Sequence, residues 1–389
     1  MNKNLWLLAL AQGFYLTNNI TFIAINGLVG LSLAPMSWLA TLPVMGYVLG
    51  SALSTTLVAQ VQKRVGRQGS FQIALVISFI ASLTCAYAAT HQHFWLLNVG
   101  TLIAGFYNAN AQLYRFAAAE LAQKTAKEKA ISWVLAGGLL GAVAGPNMAN
   151  HTQFWFEQAF VGAYISLAII SIFGLLAISW IDFPKRAEQE IQAAGRPLAE
   201  IMRQPLFIIC TATAALSYGV MNLLMAGTPL AMDICKLPFE KTAIVLEWHV
   251  IGMFAPGFFT GNLIQRFGIL LIMRLGVVIY AIAIAIALSG ETFSHFLIAL
   301  FLLGVGWNFL FTSSTTLALK AYRPEERDKA QGAINFFVFS FTAVSSFSSG
   351  LLITSQGWYM LGWGSIAPLI LIMLALVWLS SKKEWTLSA

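Results

Sequence analysis

Charge is what this sequence has least of. Only 10% of its 389 residues are Asp, Glu, Lys or Arg, against roughly 25% in soluble globular proteins, so the chain lacks the means to cover its surface with solvated groups. Acids are scarcest, 15 against 22 basic residues. Cysteine is nearly absent: Cys85, Cys210 and Cys235 show neither the spacing of a metal site nor that of a redox pair. No GxxxxGK[ST] loop is present to cradle phosphates, which excludes an ATP-driven pump of that kind. Of the five histidines, His91, His93, His151 and His295 fall at or near the ends of apolar runs, which leaves a haem without axial ligands inside them. No nucleophile stands beside a base, as an intramembrane hydrolase requires. The reading is of a protein that is not an enzyme, carries no cofactor and ligates no metal.

What the chain has in abundance is apolar length. Hydrophobic residues make up 58% of it, in runs near the ~20 residues that a helix needs to cross a bilayer. Twelve such spans are predicted, at roughly 5 to 30, 37 to 60, 70 to 90, 94 to 117, 130 to 150, 159 to 181, 206 to 231, 242 to 264, 269 to 289, 295 to 318, 329 to 353 and 358 to 381. The dyad alternation of transmembrane strands is absent. The net charge of +7 reads as topology rather than affinity for nucleic acid, because 20 of the 22 basic residues fall at the termini or at even-to-odd connections, with only Lys236 and Lys241 on the other side. Basic residues are retained on the cytoplasmic side during insertion. Both termini are therefore expected in the cytoplasm, with the chain as a multi-pass protein of a bacterial type of inner membrane. The amino-terminal MNKNLWLLALAQG is similar to a signal peptide, but the apolar run continues without a small-residue cleavage site, so it is read as an uncleaved first span.

An internal repeat organises these spans. KRVG at Lys63 to Gly66 returns as QRFG at Gln265 to Gly268, an offset of 202; Tyr114-Arg115 and Glu128-Lys129-Ala130 are echoed by Tyr322-Arg323 and Asp328-Lys329-Ala330, at offsets of 208 and 200. Matches in order, in equivalent loops, argue for two duplicated six-span halves, 1–181 and 206–389. Between them, residues 182–205 form the most polar stretch, and Ile191, Leu198, Ile201 and Met202 could make the apolar stripe of a linker helix lying on the cytoplasmic membrane surface.

Two six-helix halves in parallel repeat resemble the plan of the major facilitator superfamily, and specific segments extend the resemblance. AQVQKRVGR, Ala59 to Arg67, and GNLIQRFG, Gly261 to Gly268, are similar to the superfamily's loop signature after spans 2 and 8, and GAVAGP, Gly141 to Pro146, is similar to the glycine-proline motif of its antiporters. Two departures stand out. Lys63 and Gln265 occupy the place of the loop aspartate, and Thr101 stands where many proton-coupled members carry an arginine. The resemblance implies an all-α membrane protein that works as a monomer by alternating access, the two halves rocking about a midplane site. A facilitative uniporter or a channel-like permease without ion coupling is the alternative.

Side chains that such a fold would turn toward a small-molecule solute lie in stripes at helical spacing. Span 1 offers Tyr15, Asn18, Asn19 and Phe22; span 4 offers Asn108, Gln112 and Arg115; span 7 offers Tyr218 and Asn222; span 10 offers Trp307, Asn308 and Phe311; span 11 offers Asn335 and Phe339. Amides beside aromatics, with few fixed charges, suit a flat or amphipathic organic molecule such as a vitamin-like or flavin-like heterocycle, a siderophore or a drug-like compound. The same polar residues also serve membrane proteins as hydrogen-bond partners between helices. Gly137, Gly138, Gly141 and Gly145 read as close-packing positions. Lys63, Arg64, Arg67 and Arg266 are the candidate gating cations, with Glu120, Glu128, Glu325, Glu326 and Asp328 as the available loop acids. Finally, IVLEWHVIGMFAP places Glu247 and His249 inside span 8, and Glu247 is the one acid that falls clearly within a span. A carboxyl and an imidazole can take up and release protons, so these two are the candidate coupling residues. Two positions apart on a helix, they point about 200° from each other and need not share a partner.

Overall fold

The computed structural model describes residues 3–123, 127–183 and 195–381; Ile191 of the expected linker stripe lies outside them, as do the side chains of Glu128 and Asp328. The described residues hold helices and connections and no strand. In chain order the helices are α1 (Lys3–Leu33), α2 (Leu42–Thr90), α3 (Phe94–Ala111), α4 (Tyr114–Leu121), α5 (Lys127–Thr152), α6 (Val161–Ser179), α7 (Leu198–Met202), α8 (Pro205–Ile234), α9 (Phe239–Phe254), α10 (Gly257–Phe267), α11 (Ile269–Ser289), α12 (Phe293–Ala318), α13 (Arg327–Gln356) and α14 (Trp358–Ser381).

These account for twelve crossings. The 49 residues of α2 would reach over ~70 Å, more than twice a hydrocarbon core, and the backbone leaves helical geometry inside it at Gly66, with φ 74°. Spans 2 and 3 therefore meet at KRVG. The repeated QRFG does the same work: Gly268, φ 83°, ends α10 and starts α11. A left-handed φ is open to glycine and costly for a side chain with a Cβ, so the repeat seen in sequence is a repeat of turn geometry. Span 8 is split into α9 and α10 at Pro256, which has no N–H to donate to the helix. Span 4 is split as well. Its helix pauses at Gln112 and Leu113, both in the right-handed region, so Arg115 belongs to α4 and the continuous stripe expected from Asn108 to Arg115 is interrupted.

Burial runs opposite to that of a soluble protein. Leu53, Leu140 and Val344 are more than 60% exposed, while Asn26, Asn110, Ser51 and Thr101 have no exposed surface. Apolar side chains facing out and polar ones facing in is the arrangement a lipid solvent imposes. The short α7 keeps Ile201 buried and leaves Leu198 exposed and Met202 half-buried.

The chain forms two compact units: Met1–Ala187 with Met232–Glu247, and Glu188–Ala231 with Trp248–Ala389. In the first, α1 packs on α5 so closely that a Cβ at Gly137 or Gly141 would meet the carbonyl of Ala9 or Gly13. Ser78 receives Asn18 Nδ2 at 3.4 Å and Ser171 Oγ at 2.9 Å, tying α1, α2 and α6 together, and Gln68 Nε2 donates to the carbonyls of Ile178, Ser179 and Ile181 at the end of α6. The segment 232–247 joins this unit through the Phe160–Phe239 ring contact at 4.9 Å and a bond from Asn147 Nδ2 to Glu247 at 3.2 Å. In the second unit α11 packs on α12 and α14.

One device is shared by both units. Gly105 sits on the backbone of Gly50 and Ser51 in the first; Gly304 sits on that of His249, Gly252 and Met253 in the second. Gly50 and Gly252 are 202 apart, Gly105 and Gly304 are 199 apart. Spans 2 and 4, and likewise 8 and 10, therefore cross at backbone contact.

Candidate functional site

At these two crossings an asparagine lies one turn beyond the glycine on the fourth or tenth span, and the two asparagines, equally buried, bond different partners. Asn108 Nδ2 donates to Ser51 Oγ at 2.7 Å, while its Oδ1 accepts from Tyr15 Oη at 2.6 Å and from Asn19 Nδ2 at 3.4 Å. Asn19 also donates to Tyr47 Oη at 3.1 Å, and the Tyr47 ring is stacked on Phe22 at 5.2 Å. Tyr15 meets Tyr107 and Tyr114 edge to face. The first unit thus gathers Tyr15, Asn19, Phe22 and Asn108 from the sequence stripes into one connected cluster. Tyr47 and Ser51 complete it, and were not read from the sequence, although their spacing of four on span 2 matches that of the stripes on spans 1 and 4.

Asn308 spends its amide on the helix break. Its Nδ2 donates to the Met253 carbonyl at 2.7 Å, next to the turn at Pro256, and its Oδ1 accepts from Thr260 Oγ1 at 2.7 Å. Asn222 is likewise occupied, donating to the Thr342 carbonyl and to Ser345 and Ser346 hydroxyls, and Asn18 reaches Ser78. These three amides join helices. What the second unit gathers is aromatic: Trp307 is stacked on Phe311 at 5.0 Å and 12°, and the Tyr218 ring stands edge-on to both, at 5.4 and 5.6 Å. Tyr218 and Phe311 are half-buried, and so are Asn335 and Phe339 on α13 and Gln112 at the end of α3. Arg115 is exposed, its guanidinium 4.9 Å from the Phe116 ring.

Glu247 and His249 diverge as their spacing requires. Half-buried Glu247 accepts from Asn147 on α5 at 3.2 Å. His249 has no exposed surface and its Nδ1 lies 2.6 Å from the Leu300 carbonyl; because a carbonyl only accepts, Nδ1 carries the proton. The imidazole is held against α12, apart from the carboxylate.

Among the loop cations, Arg67 pairs with Glu120 at 2.8 Å, inside the first unit. Lys63, Arg64 and Arg266 are exposed, the last with its guanidinium over Phe267. A second pair went unread in the sequence. Arg196, from the linker, meets Glu326 in the connection between α12 and α13: Nη2 to Oε2 at 2.7 Å, with Nε and the backbone N both 2.8 Å from Oε1 and the Arg323 N–H also donating. These donors hold the Glu326 carboxyl well below the usual carboxylate range. Single-sequence spacing carries no signal for a partner 130 residues away.

Twelve apolar crossings, a two-fold repeat of turn and crossing, and a polar interior define a polytopic carrier fold. The chain belongs to the Major Facilitator Superfamily, whose profile matches residues 5–341 and 242–389, and it is a multi-pass membrane transporter of that type. Among curated proteins, the riboflavin transporter RfnT of Brucella anthropi is 37% identical over 385 residues, covering 98% of this chain and 96% of that protein. The uncharacterized MFS-type transporter YddS of Bacillus subtilis is 24% identical, covering 92% and 86%. Among solved structures, the nucleoside transporter NupG superposes with a TM-score of 0.75 at 15% identity, covering 96% of this chain and 99% of that one; that likeness speaks for the fold alone.

Proposed function

We propose that this protein carries riboflavin, or a flat heterocycle of the same kind, across a bacterial inner membrane. The observation that carries the reading is the near-full-length, 37% identical match to a riboflavin transporter. The chemistry of the two clusters supports it. An uncharged isoalloxazine needs ring faces to stack on and amide or phenol groups to meet its carbonyls and ring nitrogens, and Tyr15, Asn19, Asn108, Tyr218, Trp307 and Phe311 are such groups, with no acid or base among them. Asn18, Asn108, Asn222 and Asn308 are all bonded to neighbouring helices; Asn108 alone of the four shares its bonds with Tyr15 and Asn19 of the aromatic and amide cluster, so it is assigned a substrate role and the other three are assigned none.

The mechanism proposed is alternating access by a monomer built of two six-helix halves, 1–181 and 206–389, with both termini in the cytoplasm. Coupling to protons is assigned to Glu247, a half-buried carboxylate inside a span. His249 is assigned the positioning of α9 on α12. The direct test is growth of a riboflavin-auxotrophic bacterium on low external riboflavin. Expression of this chain is expected to restore growth; a strain that expresses it in the membrane and stays dependent on high riboflavin counts against the assignment.

A further inference from the structure

Trp307 is 7% exposed, and its indole Nε1 is buried with no hydrogen-bond partner. That is unusual for a group that can only donate, because a buried donor left unmade forfeits its hydration without return. The contrast is close at hand. Trp358, also buried, donates to the Ala287 carbonyl at 2.8 Å, and Asn308, the next residue after Trp307, has both ends of its amide engaged. The Trp307 ring itself is well fixed, one face on Phe311, with Tyr218 and Phe254 at its edges. Position is set by three aromatic neighbours while the polar atom is left unsatisfied.

We propose that the Trp307 N–H is the donor that reads a carbonyl oxygen of the transported heterocycle, with Tyr218 and Phe311 as the apolar frame around it. The proposal rests on the flavin reading above and deepens it. A donor-only group selects a lone pair. The partner is neutral rather than anionic, because α12 contains no Lys or Arg to balance an anion and α8 contains none either. The pyrimidine ring of an isoalloxazine carries two such carbonyls, whereas a flat cation that offers only N–H groups, such as protonated proflavine, carries none.

The experiment titrates the detergent-purified full chain with riboflavin and with proflavine, following ligand fluorescence. Trp307→Phe keeps a ring on Phe311 and removes the donor. It is expected to weaken riboflavin about tenfold, the worth of one ordinary hydrogen bond, and to leave proflavine within about twofold; in uptake assays KM rises and the maximal rate holds. Benzothienylalanine at position 307, with sulfur in place of N–H and the ring shape kept, is expected to give the same selective loss even if the smaller Phe disturbs packing. Equal loss for both ligands, or no loss for either, overturns the donor role while leaving the flavin reading intact. Wild-type protein that binds proflavine and no flavin overturns both.

Discussion

Asn108 and Asn308 are the same residue at repeat-equivalent places, and they are predicted to fail differently. Removing Asn108 takes the acceptor from Tyr15 and Asn19 and the donor from Ser51, so Asn108→Ala is expected to reduce uptake at least tenfold, measured per molecule in the membrane. Asn308→Ala takes the side-chain donor from the Met253 carbonyl and leaves the Thr260 hydroxyl only its bond to the Pro256 carbonyl; it is expected to destabilise the protein by about 1–3 kcal/mol, seen as a lower melting temperature with uptake per folded molecule retained. Glu247 is tested with the same economy. Glutamine keeps an oxygen to accept from Asn147 and loses the ability to bind a proton, so Glu247→Gln is expected to retain exchange of substrate while losing accumulation driven by an imposed pH gradient. Accumulation that still follows the gradient in this variant would return Glu247 to a structural role. Residue chemistry of this kind was legible in the sequence as polarity within spans. Which way each amide turned was not, since consecutive residues point about 100° apart on a helix and the adjacent Asn18 and Asn19 meet different helices, through Ser78 and Asn108.

At the scale of elements, spans and repeats were the most legible features, because the apolar runs and the KRVG and QRFG turns are local in sequence. The breaks at Gln112 and Pro256 were less so. Pro256 signals its own break through the missing N–H, whereas the pause at Gln112 and Leu113 has no glycine or proline to announce it. The clamp of the linker on the connection after α12 was not legible at all. It makes a prediction with a definite sign. The Glu326 carboxyl titrates below its ordinary range when folded, so the pair contributes stability that is fully present above that range and is lost as pH falls through the folded value. Wild-type protein is therefore expected to lose thermal stability on acidification, and Glu326→Gln to start from a lower melting temperature at neutral pH and to fall less on the same acidification. Parallel melting curves across the acid range would remove the clamp from the account.

For the whole molecule, the family and fold set what kind of machine this is, and the neutral aromatic and amide clusters set what it is expected to carry. Neither unit's cluster holds a fixed charge of the kind that a phosphorylated sugar would require, which agrees with a neutral heterocycle as cargo. The Arg67–Glu120 pair lies within the first unit at 22% and 47% exposure and is worth ~1 kcal/mol or less, so it tunes rather than drives any conformational change. The measurement that bears most directly on the central claim is counterflow of radiolabelled riboflavin in proteoliposomes containing the purified chain. Vesicles preloaded with unlabelled riboflavin are predicted to draw in label transiently above the equilibrium level, with an initial rate that saturates and is faster than in empty vesicles. Influx that rises linearly with concentration and is indifferent to the internal load would contradict a riboflavin carrier.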